Sequence, residues 1–108
     1  MHYNKGDILL INFPFTDLKK FKKRPVIVIA QSNAFGDFVC LQITSKMHHT
    51  YAVKIDESHL KEGQLKLTSF VKYDKCFTLN SEIVDKKLAT LNETTMNHLK
   101  TLFCAEVF

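Results

Sequence analysis

The chain has 108 residues, of which 45% are apolar, and its 15 Lys and Arg exceed its 11 Asp and Glu, which gives a net charge of +4. This length supports one hydrophobic core, so we expect a single domain over residues 1–108, and a multidomain enzyme with a built-in cofactor domain is excluded. With 3 Gly and 2 Pro, the composition also excludes collagen-like and disordered chains. The apolar runs are too short to cross a membrane, and the N-terminus lacks the apolar run of a signal peptide, so we expect a cytoplasmic protein.

Four strands are predicted in the first half of the chain, at Ile8 to Phe13, Val26 to Ala30, Phe38 to Thr44 and Tyr51 to Ile55. The second of these is an unbroken apolar run, which is typical of a strand that is buried on both faces. The polar stretch from Thr16 to Arg24 is predicted to form the loop before it. Pro25 biases Arg24 toward an extended backbone and places it at the start of the buried strand.

The second half predicts a helical turn over Asp56 to Gly63, strands at Leu67 to Tyr73 and Cys76 to Leu79, a helical turn within Ser81 to Lys86 and an edge strand at Lys87 to Leu91. A helix follows, with Asn92 as its N-cap. Its predicted core stripe is Met96, Leu99, Leu102, Phe103 and Val107. The predicted fold is therefore mainly β (α+β), a small antiparallel barrel capped by a C-terminal helix.

The loop after the first strand interleaves rings with cations. Five of the seven bases in residues 1–50 lie within six positions, and they include Arg24, the single Arg beside 14 Lys in the chain. Rings that stack on bases and cations that follow phosphates are typical of single-strand binding. The alternative is a solvated hairpin loop whose Phe rings fold back on the core. The candidate binding residues are Phe13, Pro14, Phe15, Thr16, Lys19, Lys20, Lys22 and Lys23.

Other polar residues also allow two interpretations. Arg24 is either a phosphate clamp or a surface cation, and Thr44 with Ser45 either contacts a phosphate or satisfies turn backbone. Lys72 and Asp74 lie two apart on a predicted strand, so they share a face, either as a charge stabiliser with a proton acceptor or as a surface ion pair.

Histidine and cysteine spacing gives little support for a metal site. His48 and His49 point in opposite directions on an extended segment, so no metal is expected, although His48 stays a candidate for contact with substrate. The three cysteines, Cys40, Cys76 and Cys104, lack a C-x-x-C pair, so we expect buried free thiols. No phosphate-binding glycine loop or hydrolase motif occurs, and no cofactor is expected.

The ordered set Gly6-Asp7-Ile8, Phe13-Pro14-Phe15-Thr16-Asp17, Arg24-Pro25-Val26-Ile27-Val28-Ile29, Ile43-Thr44-Ser45, and Gly63 followed by Ser69 resembles the MazF/PemK (Kid) family of type II toxin–antitoxin toxins. The resemblance spans nearly the whole chain. It implies an SH3-like barrel that forms a homodimer, binds a cognate antitoxin and cuts single-stranded RNA without a metal. The implied products are a 2′,3′-cyclic phosphate and a 5′-hydroxyl.

The resemblance also implies the catalytic residues, namely Arg24, Thr44, Lys72 and Asp74, with Ser45 beside the phosphate. Lys72 stands where the family's Kid-like members have Arg, and Phe77 stands where many members have a basic residue. Two other classes stay open on the same barrel. One is a non-catalytic toxin that binds a protein target, as CcdB does, and the other is a nucleic-acid-binding domain that does not cleave.

Overall fold

The computed structural model describes residues 3–14, 21–31, 35–46 and 50–107. Within these ranges, seven strands form one curled antiparallel sheet in the order β4-β6-β3-β2-β1-β7-β5. The strands are β1 (Asp7–Pro14), β2 (Phe21–Gln31), β3 (Asp37–Thr44), β4 (Ala52–Ile55), β5 (Leu60–Gly63), β6 (Ser69–Asn80) and β7 (Val84–Leu91). One helix, α1 (Glu93–Glu106), follows them. The predicted mainly β fold, a small antiparallel barrel with a C-terminal helix, is confirmed, and the seven strands form a curled half-barrel.

The sheet buries apolar side chains on both faces. On the helix face, a cluster that includes Ile8, Ile27 and Leu41 packs with Leu99 of α1. On the far face, a second cluster comprises Leu9, Ile11, Val26, Val28, Phe38 and Cys40. Alternate residues of β2 belong to different clusters, as expected for a strand with two buried faces, and this explains the unbroken apolar run in the sequence.

The helix begins where its cap predicts. The Asn92 side chain accepts a hydrogen bond from the Thr95 backbone N–H at 2.8 Å, which satisfies a donor that a helix start leaves unpaired. Leu99 is buried, and Met96, Leu102 and Phe103 pack partly buried against the same cluster. The prediction fails for Val107, which is the C-cap residue and is 43% exposed.

The strand β2 begins at Phe21, so Arg24 lies inside it and not at its start as predicted. Pairing with β1 covers Phe21 to Ile27, whereas pairing with β3 begins at Val26. The segment around Pro25 is therefore paired on one side, where the missing N–H of proline is tolerated.

The predicted elements of the second half differ in three places. A 3₁₀ turn at Glu57–His59 leads into β5, so Gly63 ends a strand and not a helical turn. The two strands predicted between Leu67 and Leu79 are one strand, β6, because an irregularity in its pairing with β3 absorbs the polar residues between them. The predicted edge strand is β7, which pairs with both β1 and β5 and so lies inside the sheet.

Asp7 joins the start of β1 to β7. Its carboxylate is buried, at 3% exposure, and accepts hydrogen bonds from the Thr90 hydroxyl at 3.0 Å and from the Asn4 backbone N–H at 2.9 Å. The Lys87 ammonium lies 3.3 Å away. A buried carboxylate is costly unless it is bonded and paired in this way, so the Gly6-Asp7 signature has a structural role in this chain.

The cysteine prediction is correct for Cys40, which is buried, and wrong for Cys76 and Cys104, which are exposed. Burial raises the pKa of the Cys40 thiol to about 12. No helix in the described ranges is long and apolar enough to cross a bilayer.

Candidate functional site

Arg24 and Thr44 lie on the far face of neighbouring strands. Arg24 pairs directly with Ile11 of β1, a far-face residue, and Val26 pairs with Gln42 of β3. Directly paired side chains in an antiparallel sheet point to the same face, as do residues two apart on one strand. Arg24 lies two residues before Val26 and Thr44 lies two residues after Gln42, so both lie just beyond the end of the β2–β3 pairing and on the same face. Both residues are half-buried.

Lys72 lies on the same far face, on strand β6, which pairs with the other edge of β3. It pairs with Gln42, and the next far-face pair along these strands is Thr44 with Phe70. Arg24 and Lys72 therefore flank β3 on its two sides. The structure brings together three of the four predicted catalytic residues, Arg24, Thr44 and Lys72, on one side of the sheet.

The Thr44 hydroxyl sits at the end of β3, where the strand turns. It accepts a hydrogen bond from the Lys46 backbone N–H at 3.2 Å. A hydroxyl that accepts one hydrogen bond still has its own O–H to donate. The alternative interpretation, in which Thr44 satisfies turn backbone, is thus correct, and it is compatible with a bond from Thr44 to a bound phosphate. Ser45 follows the strand and is exposed.

Aromatic rings border the polar group on the far face. Phe13 pairs with Lys22 between β1 and β2, and Phe77 pairs with Cys40 between β6 and β3. The two rings meet edge to face with centroids 5.7 Å apart. One candidate ring, Phe13, and one candidate cation, Lys22, therefore lie on the same face as Arg24.

Lys23 lies on the other face. It pairs with Asn12, one residue away from the far-face pair of Ile11 and Arg24, and its ammonium lies 3.3 Å from the Asp85 carboxylate. Neighbouring residues of a strand point to opposite faces, so Lys23 is separated from Arg24 by the sheet. The sequence grouped Lys22, Lys23 and Arg24 by charge alone, and strand alternation divides them.

Asp74 lies in the irregular part of β6. Cys76 pairs with Leu41 and Lys72 pairs with Gln42, so three residues of β6 lie between the partners of two adjacent β3 residues. Simple alternation, from which the sequence predicted a shared face for Lys72 and Asp74, does not apply across such a bulge. Asp74 is exposed two residues from Lys72.

Several predicted binding residues lie outside the described residues, namely Phe15, Thr16, Lys19, Lys20 and His48. Pro14 is the last residue of β1. Sequence reasoning missed Gln42 as a contributor to the site and named Phe77 only as a departure from the family pattern. Neither carries a motif, and only the pairing of β2, β3 and β6 places them beside Arg24 and Lys72.

The site does not coincide with either of the cavities that the described residues form beside α1. Two cavities, of about 570 and 430 Å³, lie beside α1, the first lined in part by Ile29, Met96 and Phe103. None of the four residues Arg24, Gln42, Thr44 and Lys72 lines either cavity. Among the described residues, no group of three or more His, Cys, Asp or Glu is arranged to hold a metal ion. A cationic sheet face bordered by rings suits an extended anionic polymer.

The fold is shared with solved structures of low sequence identity. An endoribonuclease in complex with its cognate antitoxin from mycobacterial species has a TM-score of 0.75 and 17% identity, over 95% of this chain and 92% of that one. MazF from Deinococcus radiodurans has a TM-score of 0.73 and 16% identity, over 97% and 96%. The Mycobacterium tuberculosis toxin MazF-mt6 has a TM-score of 0.70 and 16% identity, over 92% and 93%.

No curated protein sequence matches the chain. A family model does match, over residues 4–106, and its description is a PemK-like, MazF-like toxin of type II toxin–antitoxin systems. The match covers every element from β1 to α1. The chain belongs to this family of PemK-like and MazF-like toxins.

Proposed function

We propose that the chain is an endoribonuclease toxin that cleaves single-stranded RNA on its far face. The observation that carries the proposal is the strand register that puts Arg24, Thr44 and Lys72 on one open surface. The family match supports a toxin, and two of the structures with this fold are endoribonucleases by name. RNA as the substrate places the activity in the cytoplasm.

In the proposed reaction the nucleophile belongs to the substrate. The ribose 2′-oxygen attacks the adjacent phosphorus, and the bond from phosphorus to the 5′-oxygen breaks. A 2′,3′-cyclic phosphate and a 5′-hydroxyl result. A base removes the 2′-hydroxyl proton and an acid protonates the leaving oxygen, so the protein supplies proton transfer and charge stabilisation. The required 2′-hydroxyl restricts the reaction to RNA.

The far-face residues divide these tasks. The planar guanidinium of Arg24 presents several N–H donors to the non-bridging oxygens, whose charge grows in the transition state. The Thr44 hydroxyl donates its free proton to the same phosphate, and Ser45 follows it at the rim. Lys72 adds positive charge from the other side of β3. Asp74, which is exposed in the bulge of β6, is our candidate for the base.

The proposed partners follow from the related structures. One of them is a complex of an endoribonuclease with its antitoxin, and another is a MazE–MazF complex. We extend antitoxin binding to this chain and propose that a cognate antitoxin inhibits it. The homodimer is proposed from the family resemblance. An antitoxin segment with carboxylates facing Arg24 and Lys72 would compete with RNA phosphates for the same surface.

The test is cleavage of a defined single-stranded RNA by the purified protein in EDTA, with the ends sequenced. We expect cuts that leave 5′-hydroxyl ends in wild type, loss of cutting in Arg24→Ala, and retained cutting in Lys100→Ala, which removes one positive charge from α1. A substrate with 2′-deoxyribose at the cut position should resist.

Uncut RNA in wild type, or equal cutting by Arg24→Ala, would contradict the proposal. Salt-sensitive RNA binding without cleavage would favour a binding domain. Toxicity that survives both Arg24→Ala and Thr44→Ala would favour a toxin that acts on a protein target.

A further inference from the structure

Gln42 occupies the centre of the far-face polar group. It pairs with Val26 of β2 on one side and with Lys72 of β6 on the other, and Thr44 follows it two residues along β3. Gln42 is therefore the residue that lies between the Arg24 side and the Lys72 side of the proposed cleavage site. Its side chain is half-buried.

The Gln42 side-chain amide has no partner among the residues that the structure describes. Among the described residues, its side chain makes no hydrogen bond, whereas the Gln31 amide donates to the Tyr3 carbonyl and the Asn80 amide bonds Asp37. An amide that is half removed from water carries two donors and two acceptor positions that a ligand can satisfy. The Gln42 amide is thus placed to hydrogen-bond a ligand that lies on the far face.

The surroundings of Gln42 change character along the strand. Toward Thr44 the face carries a hydroxyl and the Arg24 guanidinium beside the paired Phe70, whereas toward Cys40 it is apolar throughout and ends in the Phe77 ring, which packs against Phe13. Residues two apart on a strand are separated by about 7 Å. A nucleotide whose phosphate lies at Arg24 and Thr44 therefore brings a base over Gln42, with the edge of an aromatic ring beyond it.

We infer that Gln42 is a specificity-determining residue that hydrogen-bonds the edge of a base flanking the cleaved phosphate. The inference rests on the proposed ribonuclease function and adds to it a protein group that distinguishes one base from another. A carboxamide offers one donor and one acceptor side by side, which matches the paired groups on the edges of unstacked bases. Contacts from lysine and arginine to phosphates hold the RNA in place and carry no base information of their own.

The experiment compares the cleavage preferences of wild type, Gln42→Leu and Gln42→Glu on a library of single-stranded RNA with randomised sequence. The cut ends are sequenced and base frequencies are counted at each position around the cut. Gln64→Leu is the matched control, because it makes the same chemical change at an exposed position between β5 and β6.

We expect Gln42→Leu to lose at least about fivefold of the preference at a single position next to the cut, since a bidentate base contact contributes that much or more to discrimination. Gln42→Glu, which keeps the acceptors and loses the donors, should prefer a different base at that same position. Gln64→Leu should keep the wild-type preference at every position. Circular dichroism of each variant checks that it folds, and Gln42→Glu carries the test if Gln42→Leu does not fold.

The outcomes separate this inference from the proposed function. RNA that wild type does not cut contradicts the proposed function and the inference with it. Cutting with no base preference next to the phosphate leaves the ribonuclease standing and overturns the role of Gln42. Unchanged preferences in both Gln42 variants, whatever their rate, also overturn it.

Discussion

The Thr44 hydroxyl accepts a hydrogen bond from the backbone N–H of Lys46, at 3.2 Å. This bond restrains the oxygen at the end of β3 and leaves its own O–H free to donate. The hydroxyl is therefore held before substrate arrives, which is the property that makes a donor effective toward a developing charge.

We predict that Thr44→Val lowers kcat by about tenfold or more and changes KM little, because preorganised donors act mainly on the transition state. Thr44→Ser keeps a hydroxyl and should keep most of the rate. The measurement is single-turnover cleavage of one RNA over a range of enzyme concentrations. Equal losses in binding and rate would instead make Thr44 a contact to bound RNA in its ground state.

A feature of this site is predictable from the sequence when the residues that determine it lie close together along the chain. Local patterns predict the apolar strand that holds Arg24, the end of β3 at Thr44 and the Asn92 cap, because each depends on residues close in the chain. The register of β2 against β3 and of β3 against β6 is set by packing across the sheet. Gln42 and Phe77 acquire a place in the site only through that register, so no motif predicts them.

The failures of the sequence prediction have a similar cause. The sequence groups Lys23 with Arg24 by charge alone. Both residues lie within β2, where neighbouring side chains point to opposite faces. Regular strand alternation predicts that Asp74 shares a face with Lys72, and the bulge in β6 interrupts that alternation. Pairing between strands determines the faces of both residues, and no local sequence pattern predicts that pairing.

Of the three glycines with positive φ, Gly63 is predicted to be less replaceable than Gly6. A Cβ at Gly63, where φ is +87°, would lie 2.5 Å from both the Ala89 Cα and the Leu88 carbonyl oxygen. At Gly6, where φ is +92°, the nearest atoms are 3.4 Å away. We expect Gly63→Ala to lower the free energy of unfolding by about 1–3 kcal/mol more than Gly6→Ala does, since both share the backbone strain and only the first adds the overlap.

Urea unfolding of the two glycine variants measures this difference. Because each variant is compared with the other, the cost of placing alanine at positive φ largely cancels. Similar midpoints and slopes for the two variants would show that β5 moves away from β7 and relieves the contact.

The three thiols are predicted to react in two groups. Cys40 is buried with a pKa raised to about 12, so at pH 8 it has almost no thiolate and little access to reagent. Cys76 and Cys104 are exposed, although partial desolvation also raises the pKa of Cys76. Iodoacetamide labelling followed by peptide mass spectrometry should modify Cys104 and Cys76 in the native protein and Cys40 only after unfolding. Early labelling of Cys40 would show that the far-face core opens without global unfolding.

The contacts of Glu62 predict a loss of stability in acid. Its carboxylate accepts hydrogen bonds from the Lys87 ammonium at 3.0 Å and the Thr90 hydroxyl at 3.2 Å, and these bonds hold the pKa of Glu62 below its ordinary 4.5. The unfolded chain therefore binds a proton at Glu62 more readily than the folded chain does. The stabilisation is present above pH 4.5 and is lost as the pH falls through the folded pKa.

We expect the free energy of unfolding to fall as the pH is lowered below 4.5, and to fall less steeply in Glu62→Gln. The control is Glu57→Gln, since the Glu57 carboxylate makes no hydrogen bond or ion pair with other described residues. Asp56, whose pKa the Ser58 hydrogen bonds also lower, retains part of the slope in both variants. Urea titrations at a series of pH values and at two salt concentrations measure the effect, which added salt should weaken because the groups are exposed. Equal slopes in wild type and Glu62→Gln would show that Glu62 does not couple folding to protonation.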